Sequence, residues 1–177
     1  MLNLEQAQAA ILAAVRRGSR IETVPLVQAL GRYTATALNA RTDHPAFDNS
    51  AMDGYAVRVA DLAAHAFCLP LAGEARCGDA PGKLAPGTAQ RIFTGAPLPV
   101  GADTVVMQED VQVEAATATS LSPGPRLDPI GENGAAVFPR TVEPDQNLRR
   151  RGEDFRLGEV LYAPGRRLSA WDLALLA

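Results

Sequence analysis

Two cysteines, two histidines and one tryptophan are all that 177 residues supply of those types. Cys68 and Cys77 are too few for a disulfide scaffold and have no ligand-like spacing, so free thiols in a reducing compartment are expected. His44 and His65 lie far apart, with no cysteine or second histidine at ligand spacing, which argues against zinc. No apolar run approaches the roughly 20 residues of a membrane span. The opening MLNLEQAQAAILAAVRRG lacks the basic segment and cleavage site of a signal peptide. A cytoplasmic protein with no membrane partner is therefore the expectation. Also missing are a glycine-rich phosphate loop and a G-x-S-x-G nucleophile elbow.

Hydrophobic residues make up 47%, enough for a real core in one domain or two small ones. The net charge of −3 is unevenly spread: residues 1–45 carry +2, 46–145 carry −7 and 146–177 carry +2. An acidic middle argues against nucleic-acid binding there. The two mildly basic ends read as parts of one domain.

Residues 4–17 read as an amphipathic helix, with Asn3 as N-cap and Gln6 in the capping-box position. Leu4, Ile11, Leu12 and Val15 recur at helical spacing, Arg16 and Arg17 suit the negative end of the dipole, and Gly18 suits the position after it. So short a helix needs a partner surface, its own core or another copy of the chain. Then follow a strand at 21–24, a short helix at 25–30 opened by Pro25 and stopped by Gly31, and a strand at 33–38.

From about residue 46 the texture changes to short strands broken by glycine and proline: 54–58, 66–75, 90–93, 104–114 and 136–141. This suits a compact β-rich domain. The stretch 116–135, full of small residues, reads as a long hairpin or insertion. The tail predicts strands near Leu148 and at 159–162, then a helix with Ser169 as N-cap and Asp172 as its capping-box partner. The closing LALLA has no polar cap, and a piece of a longer protein is expected.

Three segments concentrate chemistry. In 47-FDNSAMDGYAVR-58 two aspartates, Asp48 and Asp53, stand five apart in an irregular stretch. They could bind a metal, orient water or organise the loop, and aspartates in loops usually cap turns. In 91-RIFTGAPLPVGADTVVMQED-110 a Thr-Gly step and two prolines would fix the Thr94 hydroxyl and nearby backbone N–H groups at a rim suited to a polar ligand, or build a rigid turn. In 149-RRRGED-154 three arginines suit an oxyanion, or pair with Glu153 and Asp154 as a salt-bridged turn.

Taken together these segments resemble the MoeA/gephyrin family, the molybdopterin molybdenumtransferases. The matching stretches are PAFDNSAMDGYAVR (45–58), RIFTGAPLPVGADTVVMQED (91–110) and NLRRRGEDFRLGEVLYAPGRRL (147–168), with further similarity over 21–38. The resemblance implies an α+β fold: residues 1–45 and 144–177 build a discontinuous mixed α/β domain, and 46–143 form an inserted β-rich, barrel-like domain lining the active cleft. It implies that helix 4–17 serves a homodimer and that further C-terminal domains hold most of the substrate. It implies insertion of molybdate into adenylylated molybdopterin with release of AMP, assisted by Mg2+.

Residue by residue, Asp53 matches the functional aspartate of the family's DNSAMDGYA motif, Thr94 the threonine of TGAP, and Asp154 the second acid of RRRGED. Arg149, the first arginine of that motif, would face an anion or serve structure. Asp48, Asn49 and Ser50 would shape the cleft loop. The chain alone is expected to be inactive. Two rival readings are a dimerising scaffold without catalysis and a metal-dependent hydrolase built on Asp48 and Asp53.

Overall fold

The computed structural model of the chain describes residues 3–16, 18, 20–114 and 134–177. In chain order the elements are α1 (Leu4–Ala14), β1 (Leu38–Asn39), β2 (Asn49–Ser50), β3 (Gly54–Val57), α2 (Val59–Ala64), β4 (Cys68–Ala75) and β5 (Ala89–Ile92). After them come β6 (Thr104–Met107), β7 (Gln112–Glu114), β8 (Ala135–Val137), β9 (Leu148–Arg149), β10 (Val160–Tyr162) and α3 (Ala170–Leu176). They fall into two compact units, Met1–Asn39 with Val160–Ala177, and Ala40–Glu159. Residues 40–45 and 144–159, which the sequence assigned to the flanks, pack in the second unit. Their backbones bond to each other there: His44 N–H to Phe155 O at 2.9 Å and Gly158 N–H to Ala40 O at 2.9 Å.

In the first unit, α1 starts with the expected capping box: Asn3 accepts from Gln6 N–H at 2.8 Å, and Gln6 Oε1 accepts from Asn3 N–H at 3.1 Å. It ends earlier than its apolar spacing suggests, because Val15 is extended. Gly18 therefore does not cap it, and Arg17 lies outside the described residues. No α1 residue is buried; Leu4 is 74% exposed and Leu12 73%. The strand expected at 21–24 is absent, since nothing among the described residues pairs with it, and 25–30 yields only a single 3-10 turn, Leu26–Gln28. The strand expected at 33–38 shrinks to a Tyr33–Arg167 bridge and β1, which runs antiparallel to β10 with Leu38 opposite Tyr162. Helix α3 has the predicted Ser169–Asp172 box.

The second unit is built on a six-stranded sheet of order β6-β3-β5-β4-β8-β7, antiparallel except for β4 beside β5. Strands β6 and β7 sit at opposite ends of that order, yet only residues 108–111 separate them in sequence. A link that short spans at most about 18 Å, so the sheet must curl until its edges approach. The result is a curled half-barrel within a mixed α/β fold. The single 104–114 strand of the sequence reading is in fact this corner, broken by a 3-10 turn at Gln108–Asp110.

Strand β3 is buried along its whole length, as a strand inside a curled sheet must be. Alternation sends its residues to opposite faces. Tyr55 and Val57 join Leu62, Leu69, Leu71, Val106 and Phe138, whereas Ala56 joins Ala75, Ile92, Ala96 and Val105. Helix α2 supplies Leu62 to the first cluster. Among the described residues, no helix is long and apolar enough to cross a membrane.

Candidate functional site

The three motif segments converge on β2. One edge of this two-residue strand pairs with β9, Asn49 opposite Arg149 and Ser50 opposite Leu148. Its other edge meets the Thr-Gly turn: Ser50 N–H donates to Ala96 O at 3.0 Å, Gly95 N–H donates to Ser50 O at 2.8 Å, and Asn49 bridges to Pro97. Ser50 is buried, and its hydroxyl donates to Met52 O at 2.6 Å, turning the chain toward Asp53. Asn49 and Ser50 thus shape the loop through their backbone pairing.

Asp53 follows on the partly exposed rim. Its Oδ1 accepts from the Thr94 backbone N–H at 2.8 Å and from the Thr94 hydroxyl at 2.7 Å. Among the described residues no donor reaches Oδ2. Hydrogen bonds to the ionised form favour it. The Thr94 N–H and then its hydroxyl hold the Asp53 carboxyl below its ordinary range, helped by Arg91 and opposed by partial burial. Asp53 is thus an oriented anion at neutral pH.

The arginine-rich turn closes the other flank. Arg149 Nη2 donates to Asp154 Oδ1 at 2.5 Å, and Arg149 Nε lies 3.6 Å from Glu153 Oε1. His44 Nε2 stands 3.6 Å from Asp154 Oδ2, and its ring stacks on Phe155. Asp48 accepts from Arg151 N–H at 2.8 Å and from Arg150 Nη1 at 2.5 Å. The Arg151 N–H, ahead of the Arg150 guanidinium, holds its carboxyl low against the opposing effect of burial. Arg151 Nε reaches Asp43 at 2.5 Å. All three arginines are paired with carboxylates, so the salt-bridged turn, rather than an open oxyanion cradle, describes 149–154.

Asp53 meets Thr94, and Asp154 meets Arg149, each pair tied to a different edge of β2. Among the described residues Asp48 and Asp53 have different side-chain partners, Arg150 and Arg151 for the first and Thr94 for the second. Among the described residues no three His, Cys, Asp or Glu side chains gather as a metal site. Sequence reasoning missed Asp43, which accepts from Leu157 N–H at 2.8 Å across 114 positions, and Arg91, whose contacts are described below. No local spacing could have announced either.

The chain matches the family model described as the MoeA N-terminal region (domain I and II) over residues 2–177. It belongs to the MoeA family. A molybdopterin molybdenumtransferase of Haemophilus influenzae is 36% identical over 178 residues, covering 100% of this chain and 40% of that one. One from Synechococcus elongatus is 39% identical over 163 residues, covering 89% and 36%. A crystal structure of a molybdopterin biosynthesis MoeA protein from Pyrococcus horikoshii superposes with a TM-score of 0.73 at 32% identity, covering 99% of this chain and 41% of that one. The chain thus spans about two fifths of the length of these MoeA relatives.

Proposed function

We propose that this chain is the N-terminal part of a molybdopterin molybdenumtransferase of molybdenum cofactor biosynthesis, inserting molybdate into adenylylated molybdopterin with release of AMP. Family membership supports the reading. The observation that carries it is the Asp53–Thr94 pair, two residues 41 positions apart joined on an exposed rim by two hydrogen bonds. A core needs no such pair there; a cleft that must present one fixed carboxylate does.

Molybdate and the adenylyl phosphate are anions, so the carboxylates of this chain would not grip them directly. Asp53 would instead accept a hydrogen bond or proton from a donor on the substrate or from water, while Thr94 fixes its angle. Arg149 would hold Asp154 in the same way on the other edge of β2. A Mg2+ ion takes one or two carboxylates and completes its shell with water and substrate phosphate oxygens, so Asp53 would be its ligand on this chain and the substrate would supply the rest. The remaining two proposals concern assembly. The uncovered apolar residues of α1 support a homodimer, and the substrate-holding surface would come from the C-terminal domains such relatives carry.

The test is molybdate-dependent AMP release from adenylylated molybdopterin, by a protein of the relatives' full length that begins with this chain. Asp53→Ala should lower kcat about a hundredfold or more, the scale of losing one oriented catalytic group, with melting temperature unchanged. Parallel loss of activity and melting temperature would assign Asp53 to structure instead.

A further inference from the structure

Thr94 meets the Asp53 side chain, but two other residues hold its main chain. The Gln108 backbone N–H donates to Asp53 O at 3.1 Å. Arg91 Nη1 donates to the next carbonyl, Gly54 O, at 3.0 Å. Arg91 Nη2 then donates to Gln108 Oε1 at 2.5 Å, closing a ring of four residues around the Asp53–Gly54 peptide. The guanidinium is itself fixed from two sides, 5.1 Å from the Tyr55 ring centre and 4.9 Å from that of Phe93. Arg91 lies opposite Tyr55 in the β3–β5 register, and Thr94 follows three residues later in the turn after that strand. One segment thus supplies the donors for the Asp53 carboxylate and the arginine that anchors its backbone.

We infer that Arg91 and Gln108 are positioning residues for Asp53: they clamp the Asp53–Gly54 peptide so that the carboxylate stays aimed at Thr94. The inference rests on the proposed function, which gives Asp53 its part in the reaction. Ring stacking alone would hold a packing arginine; here both terminal nitrogens also reach acceptors that flank Asp53. The fork of a guanidinium is the group that can bridge two acceptors in fixed geometry, which lysine cannot do. The Arg91 charge also favours the ionised carboxylate, after the two Thr94 donors.

The experiment follows the Asp53 carboxyl by NMR titration in the 177-residue chain, with the Thr94 amide as a second reporter. Arg91→Met should move the Asp53 midpoint up toward the ordinary carboxylate value and shrink the pH-linked shift of the Thr94 amide. Gln108→Leu should act in the same direction by less. Arg140→Met is the control, since that guanidinium lies over Phe67, 5.2 Å from the ring centre, and it should change neither reporter. In the full-length enzyme, Arg91→Met should lower kcat about tenfold, the scale of a modest misalignment, with KM nearly constant. Arg91→Lys should keep the Asp53 midpoint low yet leave kcat reduced. An Asp53 midpoint unmoved in folded Arg91→Met overturns the clamp. If that variant does not fold, the exposed Gln108→Leu decides alone. A shifted midpoint with full activity would leave the clamp standing and remove Asp53 from the chemistry.

Discussion

Both Thr94 donors land on a single oxygen of Asp53, Oδ1, at 2.8 and 2.7 Å. The backbone donor survives any substitution except proline; the hydroxyl survives only in serine. Thr94→Ser keeps both and should hold full-length activity within a few-fold. Thr94→Val keeps the shape and loses one donor, so kcat should fall roughly tenfold to a hundredfold. Because the hydroxyl holds the Asp53 pKa down, its removal should also raise the carboxyl midpoint. Steady-state rates of AMP release and an NMR titration check the two halves separately.

Gly54 is required by a backbone, not by a turn. A Cβ added there would stand 2.1 Å from the Val106 carbonyl oxygen on the neighbouring strand, and neither atom can move without parting β3 from β6. Gly54→Ala should cost on the order of 3–5 kcal/mol or prevent folding. Gly82→Ala is the contrast: its nearest neighbour is the end of the Gln90 side chain at 3.9 Å, and its effect should stay within about 0.5 kcal/mol. Urea denaturation midpoints measure both.

In the first unit Asp172 is buried and accepts from Ser169 N–H and Oγ, both at 2.7 Å, and from Arg166 Nη2 at 3.0 Å. The Ser169 donors lead in holding its carboxyl far below the usual range, joined by Tyr162 and Arg166 and opposed by burial. A depressed folded-state pKa stabilises above the unfolded value of about 4, and that stability is lost as pH falls toward the folded value. The melting temperature of the native chain should therefore exceed that of Asp172→Asn at pH 7, and the gap should narrow steadily below pH 4. A gap independent of pH would mean that the network works without the charge.

Ile11 is 65% exposed on a helix with no buried residue. Ile11→Arg should leave the melting temperature of a monomer unchanged and, under the homodimer proposal, halve the mass seen by sedimentation. A monomeric native chain under the same conditions would remove α1 as the dimer contact.

Local chemistry was legible; long-range pairing was not. The two capping boxes, Asn3 with Gln6 and Ser169 with Asp172, were readable because each partner lies three residues from the other. The strand at 21–24 failed because propensity cannot say whether a neighbour exists to pair with. Helix α2 escaped notice because it has six residues and its first N–H is capped from far away, Val59 N–H to Asp103 at 2.9 Å. The closure of Asp48 on Arg150 and Arg151 spans more than a hundred positions. The family motifs could mark those residues as important, but only the fold shows that β2 is what draws them together.

The pinning of β2 between β9 and the Thr-Gly turn also has a meaning in time. During synthesis the chain leaves the ribosome from its N-terminus, so Asp48 and Asp53 emerge early and wait, first for Thr94 and then for the 149–154 turn. Pairings of such sequence separation form late and slowly. No shorter nascent segment can therefore present the paired rim, and until residues 150 and 151 are free Asp48 lacks both of its arginine partners.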